Sequence, residues 1–390
     1  MNLLPDQADL LLQKGFSRRQ LGRIATLLTA GAGLPFYNEY AMAQDAQRRA
    51  GRGPGRGMDP DAVRINQNEN PMGPCKEGLE AIAKIAPLGW RYSAGNVTSE
   101  LSRAIAETED VKEDHIAVFA GSSDPLHRVS CAFTSPTQSW TMGEPGYGGG
   151  APAFIGSKVN RVPLRADYSH DVEAMVKADP NAGVYYICNP NNPTGTLTPR
   201  KDIEYLLAHK SKDGVVLVDE AYIHFTEKAQ SCADLVAAGK DVIVLRTFSK
   251  IYGMAGLRAG FAMGRPDLLG KLRPYGVGFM QTGAVTGVAC AAASLRVKGL
   301  VAERRALNRG IREDTFGFLE KNRIEFIPSE ANMFMMNVKR PGKEFYEEMT
   351  KHHVYIGRVW PVWPTWVRVS VGTRDEMAKF REACLQCYNS

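Results

Sequence analysis

The sequence predicts an α/β protein with a central, mostly parallel sheet in a larger domain, followed by a smaller α+β domain. Three runs of apolar and β-branched residues, at 183–187, 214–219 and 241–247, are nearly continuous in hydrophobicity. Such runs are typical of parallel strands that are buried on both faces. Helical periodicity separates them, as in "RKDIEYLLAHK" at 200–210, and this alternation of strands and helices favours the α/β class.

The first 43 residues have the features of an export signal. Arg18 and Arg19 precede a mildly apolar stretch that is rich in Gly, Ala and Thr, as in twin-arginine signals. Ala41 and Ala43 occupy the small positions of an A-x-A cleavage site. We expect the twin-arginine export machinery to deliver the protein to the periplasm or beyond. The alternative is a surface helix with an incidental arginine pair, in a protein that stays in the cytoplasm.

Composition excludes several other classes of protein. No run of 18 consecutive apolar residues follows the signal, so no stable membrane span is expected. The Gly/Arg/Pro-rich stretch at 44–58 contains four of the arginines behind the net charge of +6. We interpret it as a linker, not as a nucleic-acid-binding segment, because it holds too little apolar surface to fold. The seven cysteines lack the paired spacing of a zinc site, and no metal is expected.

Each of the three predicted strands ends in chemically capable residues. The segments are "NPNNPTG" at 189–195, "DEAY" at 219–222 and "TFSKIYGMAGLRAG" at 247–260. Ligands of open α/β sheets bind beyond the carboxyl ends of the strands. A lysine there can form a Schiff base, a buried carboxylate can keep a pyridine nitrogen protonated, and an arginine can hold a phosphate. Pyridoxal 5′-phosphate requires all three.

These segments resemble the signature motifs of the fold-type I aminotransferases of classes I and II, within which the histidinol-phosphate aminotransferase-like group is the most similar. The resemblance extends over about 65–373 and includes "INQNENPMGP" at 65–74, "GSSDPL" at 121–126 and "VRVSVGT" at 367–373. It implies the fold-type I architecture and pyridoxal 5′-phosphate as cofactor. The implied segments are a signal peptide at 1–43, a linker at 44–58, an N-terminal arm with part of the small domain at 59–95, a large cofactor-binding domain at 96–290 and a small C-terminal domain at 291–390.

The resemblance also implies a role for each residue of the cofactor site. Lys250 would form the Schiff base and then move the proton between Cα and C4′, while Asp219 would pair with the pyridinium nitrogen. Tyr222 and Asn192 would bond the ring oxygen, and Tyr147 would stack on the ring. The phosphate would be held by Ser122, Ser123, Ser249 and Arg258.

On the substrate side, the resemblance assigns the anionic group of the substrate to Arg368, with Arg358 as a helper and Asn70 as a further substrate-binding residue. Tyr92 would reach the phosphate of the cofactor in a partner subunit, so a homodimer is expected to complete the site.

Two features depart from the histidinol-phosphate group. Its members usually have a Pro-Tyr motif that contacts the substrate phosphate, but no tyrosine occurs here between Tyr40 and Tyr92. The stretch "RVWPVWPTWVRV" at 358–369 places three tryptophans between the two candidate substrate arginines. One hypothesis is an apolar pocket for aromatic or bulky amino acids; the other is a tryptophan-rich wall of the small domain.

The sequence therefore predicts an aminotransferase that exchanges an amino group between an amino acid, with an aromatic or bulky side chain favoured, and a 2-oxo acid such as 2-oxoglutarate, by a ping-pong mechanism. Three alternatives remain. They are a histidinol-phosphate aminotransferase of histidine biosynthesis, a pyridoxal phosphate-dependent decarboxylase or lyase on the same scaffold, and a non-catalytic exported binding protein. The last would require loss of Lys250 or Asp219, and both are present.

Overall fold

The computed structural model describes residues 3–30, 62–92, 95–276 and 283–388. The predicted cleavage site after Ala43 and the predicted linker at 44–58 lie outside these ranges. The strands, in chain order, are β1 (Val63–Ile65), β2 (Ile116–Phe119), β3 (Trp140–Glu144), β4 (Val159–Pro163), β5 (Val184–Cys188), β6 (Val215–Asp219), β7 (Val242–Thr247), β8 (Gly260–Gly264), β9 (Phe326–Ile327), β10 (Met333–Asn337), β11 (Val354–Ile356) and β12 (Trp366–Ser370).

Helices flank these strands throughout the described part of the chain. In chain order the α-helices are α1 (Pro5–Gln13), α2 (Arg18–Ala30), α3 (Lys76–Ile85), α4 (Val97–Glu109), α5 (Ser123–Phe133), α6 (Gly150–Ile155), α7 (Val172–Ala178), α8 (Arg200–His209), α9 (Ala233–Ala237), α10 (Pro266–Gly270), α11 (Val285–Leu295), α12 (Leu300–Lys321), α13 (Gly342–Lys351) and α14 (Arg374–Tyr388). Among the described residues no single helix is long and apolar enough to cross a bilayer. Helices α11 and α12 meet that criterion only as a pair, which is bent by 89°.

A seven-stranded sheet forms the centre of the larger domain, in the order β2-β8-β7-β6-β5-β3-β4. Strand β8 is antiparallel to both β2 and β7, and the remaining neighbours are parallel. The three strands predicted from hydrophobic runs are β5, β6 and β7, and every residue in them is buried. The predicted fold class is therefore confirmed, and the reason is the one anticipated, since both faces of these strands are covered.

The smaller domain is assembled from both ends of the folded chain. Strands β12, β10 and β9 form an antiparallel sheet, and β1 pairs in parallel with β11. Helix α12 connects the two domains. Leu300, at its start, packs in the core of the large domain, and Ile311 packs in the core of the small domain. The boundary expected at 290 falls inside α11, whose buried residues, such as Cys290, belong to the core of the large domain.

Helices α1 and α2 form a hairpin that packs on the large domain. Leu11, Phe16, Ile24 and Leu27 are buried against residues of α5 and α6 and against Tyr275. The predicted signal peptide at 1–43 thus has a folded part, at 3–30, that packs on the large domain. The physical reason is that α1 and α2 are amphipathic, and their apolar faces fit a groove on the large domain.

A polar contact fixes the same hairpin. The Lys14 ammonium donates to the backbone oxygens of Cys131, at 3.0 Å, and Ala132. These carbonyls lie in the last turn of α5, where a cation is favourable. Burial lowers the pKa of Lys14 to about 8. Arg18 and Arg19, at the start of α2, point to solvent.

The hairpin offers a matched pair of substitutions. Leu11 is fully buried, whereas the adjacent Leu12 is 40% exposed. We expect Leu11→Asp to release the hairpin, because a buried leucine contributes about 2–3 kcal/mol and an unpaired buried carboxylate costs more. Limited trypsin digestion should then cut at Arg18 and Arg19 much faster than in the Leu12→Asp control. Equal cleavage rates in the two variants would show that the hairpin is not docked in solution.

Candidate active site

The carboxyl ends of β5, β6 and β7 lie side by side and converge on one edge of the sheet. Cys188, the last residue of β5, pairs with Asp219, the last residue of β6, and Asp219 in turn pairs with Leu245 of β7. The loop after β5 carries Asn192 and the loop after β7 carries Lys250. Strand order alone therefore brings together the amide, carboxylate and lysine that the sequence placed at successive strand ends.

The carboxylate of Asp219 lies at the bottom of this site and is 3% exposed. Its Oδ1 accepts a hydrogen bond from the backbone N–H of Ala221 at 3.1 Å, and its Oδ2 accepts one from the hydroxyl of Tyr186 at 3.0 Å. Burial raises the pKa of Asp219 to about 6, while these two hydrogen bonds and the nearby Lys250 act in the opposite direction. A buried carboxylate that accepts two hydrogen bonds suits a buried cationic partner such as a protonated ring nitrogen.

Two amides meet at the hydroxyl of Tyr222, which is itself buried. Asn192 donates to it through Nδ2 at 3.3 Å, and Asn68 does so at 3.0 Å. Asn68 has a left-handed backbone with φ of 54°, and its side chain is also tied to Ser370 of β12 at 2.8 Å. The structure thus brings the two predicted ring-oxygen ligands together and adds Asn68, which lies two residues before the predicted Asn70.

The Lys250 ammonium reaches the same cluster from the loop after β7. Its Nζ donates to the backbone oxygen of Gln67 at 3.2 Å and lies 5.6 Å from the centre of the Tyr222 ring. The amine of Lys250 is therefore close to the ring of Tyr222. An amine in this position can form a Schiff base with a carbonyl group.

The predicted phosphate ligands surround the N-terminus of α5. Ser122 is its N-cap residue and Ser123 its first residue, so backbone N–H groups and two hydroxyls are available to an anion. The Arg258 guanidinium donates to Ser249 Oγ at 3.4 Å. Burial lowers the pKa of Arg258, and a phosphate dianion would offset that cost. A Cβ on Gly121 would lie 2.4 Å from this guanidinium, so only glycine leaves space for it.

The predicted substrate arginine is buried at the junction of the domains. Arg368, on β12, is 1% exposed. Its guanidinium donates to Asn192 Oδ1 at 2.9 Å and to the backbone oxygen of Asn66 at 2.7 Å. Arg368 and Arg358 both lie over the ring of Trp360, with Cζ at 5.8 and 4.6 Å from its centre. A pair of cations on an aromatic ring forms a site for an anion next to an apolar group.

The three tryptophans of the segment at 358–369 pack in one hydrophobic cluster but have different neighbours. Trp360 is buried beside the two arginines, and its ring N–H donates to the backbone oxygen of Gly146 at 3.2 Å, in the loop that carries Tyr147. Trp363 instead packs edge-on against Tyr168 and tilted against Trp366. Of the three, Trp360 adjoins the site, whereas Trp363 packs between Tyr168 and Trp366.

Three predicted residues are placed at the margin of the site. Asn70 donates to the backbone oxygen of Ile251 at 2.9 Å, and so braces the loop of Lys250. Tyr147 is half-buried in the loop after β3. Tyr92 is 98% exposed in the single chain. The same stretch of chain, before, on and after α3, carries further exposed apolar side chains, namely Met72, Leu79, Leu88 and Trp90.

Sequence reasoning missed Tyr186, Asn68 and the backbone carbonyls at 66–67, all of which contact predicted site residues. The motif "INQNENP" pointed to the correct segment, but not to the residue in it whose amide faces Tyr222. Tyr186 is part of an apolar run, where a tyrosine is expected to pack. Its hydroxyl could have been noticed only as a polar atom in a strand buried on both faces.

The residues present fit pyridoxal 5′-phosphate. A buried carboxylate is available for the ring nitrogen, two amides and a phenol for the ring oxygen, and a lysine for the aldehyde carbon. The cradle of Arg258, Ser249 and the α5 N-terminus matches a phosphate, and Gly121 leaves room for it.

Comparisons with known proteins agree with this site. Residues 60–383 match the family described as aminotransferase class I and II. The chain is 34% identical over 340 residues to histidinol-phosphate aminotransferase 2 of Pseudomonas aeruginosa, which covers 84% of this chain and 89% of the relative. It is 33% identical to histidinol-phosphate aminotransferase 1 of Nitrosococcus oceani, over 82% of this chain and 87% of that one.

Solved structures give the same result for the fold. A crystal structure of a candidate histidinol-phosphate aminotransferase from Erwinia carotovora atroseptica superposes with a TM-score of 0.79 at 30% identity, covering 84% of this chain and 96% of that one. The histidinol-phosphate aminotransferase of Sinorhizobium meliloti, solved in complex with pyridoxal 5′-phosphate, gives 0.75 at 22% identity, covering 88% and 94%. The second likeness bears on the fold alone.

Proposed function

Because the chain belongs to the class I and II aminotransferases, we propose that it is a pyridoxal 5′-phosphate-dependent enzyme that exchanges an amino group between histidinol phosphate and a 2-oxo acid such as 2-oxoglutarate. The observation that carries the activity is the convergence of buried Asp219 with Lys250 and Arg258 at neighbouring strand ends. The substrate is supported by the names of relatives at 33–34% identity. This replaces the generic amino acid as the leading substrate.

The bound cofactor supplies an electron sink that stabilises negative charge at the substrate Cα. The chain's own residues do the rest. Asp219 would hold the proton on the ring nitrogen, since its carboxylate is buried and accepts two hydrogen bonds that favour its ionised form. Lys250 would hold the cofactor through its amine, and the same amine would be the general base for the Cα proton of the substrate. Asn192 links the two halves of the site, because it donates to Tyr222 and accepts from Arg368.

The substrate side suits a molecule with an anionic group and a flat ring. Arg358 and Arg368 present positive charge across the face of Trp360, so an anion would lie between the arginines and a ring against the indole. Histidinol phosphate carries both groups. An aromatic amino acid also carries both, and the position of Trp360 is the specific observation that favours it as the second candidate.

A donor panel tests the proposal. Purified protein reconstituted with pyridoxal 5′-phosphate is given 2-oxoglutarate and histidinol phosphate, phenylalanine, tyrosine or alanine, and glutamate formation is measured. We expect histidinol phosphate to give the largest kcat/KM. Carbon dioxide or an eliminated side chain in place of glutamate would identify a decarboxylase or lyase. A protein that binds the cofactor but yields no product with any donor would favour the non-catalytic alternative.

Trp360 and Trp363 form a matched pair for substrate preference. We expect Trp360→Ala to lower kcat/KM for phenylalanine and for histidinol phosphate by about ten- to a hundredfold, since stacking on an aromatic ring contributes about 1–3 kcal/mol. Alanine as donor should be little affected. The Trp363→Ala control removes another ring of the same cluster, one that packs on Tyr168, so it measures the cost of disturbing the cluster and should affect all three donors equally. Equal effects of Trp360→Ala on all donors would exclude a role for its ring in specificity.

We also propose that the active form is a homodimer. Five large apolar or aromatic side chains between 72 and 92 are exposed in the single chain, and a second copy would cover such a surface. Sedimentation of the purified protein measures the oligomeric state. A monomer with full activity would refute this proposal and the assignment of Tyr92 to the partner's cofactor.

Export through the twin-arginine machinery remains our proposal for localisation. That route carries folded cargo, which suits an enzyme that must acquire its cofactor before it leaves the cytoplasm. Arg18 and Arg19 are exposed although the surrounding helices are docked, so both guanidinium groups are accessible to a receptor. We expect the Arg18→Lys, Arg19→Lys double variant to be retained in the cytoplasm when cells are fractionated. Unchanged distribution between fractions would refute the proposal and favour an incidental arginine pair.

A further inference from the structure

Tyr186 is a buried residue of β5, and its hydroxyl contacts the carboxylate of Asp219 on the neighbouring strand β6. It pairs with Leu217 of β6, so Asp219, two residues further along β6, lies diagonally on the same face. The phenol is fully buried and donates to Asp219 Oδ2 at 3.0 Å. A hydrogen bond from a neutral donor to a buried carboxylate stabilises its ionised form.

The ring of Tyr186 is fixed on two further sides. It packs against Trp140 of β3, with ring centres 5.5 Å apart. On the other side lies Gly148, where a Cβ would come within 2.8 Å of the Tyr186 ring atoms. Gly148 is adjacent to Tyr147, so the same ring supports the loop that carries the predicted stacking residue. The hydroxyl therefore has little freedom to leave Asp219.

We propose that Tyr186 is a positioning residue of the cofactor site, which keeps the Asp219 carboxylate ionised and in one orientation through its hydroxyl. This inference rests on the proposed function, since it assumes that Asp219 pairs with a protonated ring nitrogen. The hydrogen bond is needed because burial alone favours the neutral acid at this position. The other ionisable groups that act on Asp219 are Lys250, Glu220 and Cys188, and the variants below leave all three in place.

The adjacent Tyr185 supplies a matched control. It is equally buried, but its hydroxyl donates to the backbone oxygen of Asp179 at 3.1 Å, away from the site. Tyr185→Phe and Tyr186→Phe thus each remove one buried hydroxyl from the same strand, and only the second touches Asp219. Any general loss of stability should be common to both variants.

The test measures the dissociation constant of pyridoxal 5′-phosphate from cofactor-free protein as a function of pH. Affinity should fall as pH drops and Asp219 takes up a proton. Loss of the Tyr186 hydrogen bond raises the pKa of Asp219, so this fall should begin about one pH unit higher in Tyr186→Phe. The phosphate of the cofactor titrates nearby, so the shift is taken relative to Tyr185→Phe. Coincident profiles for the two variants would overturn the proposal.

A cofactor analogue separates an effect on Asp219 from a loss of packing. When a carbon replaces the ring nitrogen, Asp219 has no cationic partner, and Tyr186→Phe should bind the analogue as tightly as the unaltered protein does. A weakening that persists with the analogue would refute the positioning role. Failure of the unaltered protein to bind pyridoxal 5′-phosphate at all would instead refute the proposed function, and with it the inference.

Discussion

The Lys250→Ala variant is expected to lose at least about a thousandfold in kcat. In the proposed function the amine of Lys250 would be both the group that holds the cofactor and the base that moves the Cα proton, and base catalysis alone contributes about 10²- to 10⁴-fold. Its neighbours Gln67 and Tyr222 have no group that could replace an amine. Glutamate formation from histidinol phosphate and 2-oxoglutarate measures the loss.

The control for this variant is Lys228→Ala. Lys228 is 73% exposed and paired with Glu330 at 2.6 Å, at the surface and outside the strand-end cluster, so its removal should leave kcat within about twofold, as is usual for surface ion pairs. The visible spectrum provides a second measurement, since the absorbance band of a lysine-bound cofactor should be present in the control and absent in Lys250→Ala. Retention of a tenth of the activity by Lys250→Ala would contradict the assigned role.

The second large effect is expected for Asp219→Asn. The neutral amide cannot balance a positive ring nitrogen, so that nitrogen loses its proton and the electron sink weakens. We expect kcat to fall about a hundred- to a thousandfold. The fold should survive, because an asparagine side chain can still accept a hydrogen bond from Tyr186 or the backbone N–H of Ala221. The measurement is kcat at saturating cofactor, so that weaker binding is not counted as slower chemistry.

Asp213→Asn is the matched control, since Asp213 is exposed in the turn before β6. It removes the same charge from the same stretch of chain without reaching the site. Equal activity of the two variants would show that the carboxylate of Asp219 is not required. A fall in Asp219→Asn that disappears at high cofactor concentration would place the effect in binding and not in the reaction.

The strands of the large domain could be predicted from sequence, because β5, β6 and β7 are buried on both faces and their composition reports this directly. The site residues at their ends followed from strand order. The contact between Tyr186 and Asp219 could not be predicted, since it depends on the pairing of Tyr186 with Leu217 across two strands. The sequence of one strand does not indicate the register in which a neighbouring strand pairs with it.

The docking of the N-terminal hairpin could not be predicted from the sequence either. An apolar stretch after two arginines is typical of an export signal, and an amphipathic helix has nearly the same composition. What distinguishes them is whether a groove exists to receive the apolar face. Here Ile155 of α6 and Tyr275 help to form that groove, more than a hundred residues away in the chain. The packing of Leu11 and Leu27 could therefore not be predicted from a local sequence pattern.

The stretch at 66–68, which follows β1, acts as a common reference point for three parts of the site. Its carbonyls and amide are bonded to Arg368, Lys250 and Tyr222 in turn. The alignment of these three groups is therefore set by how β1 pairs with β11. A slip of one residue in that two-stranded pairing would present the opposite face and misalign substrate charge, reactive amine and ring-oxygen ligand together. Selection on any one of the three contacts thus constrains the other two.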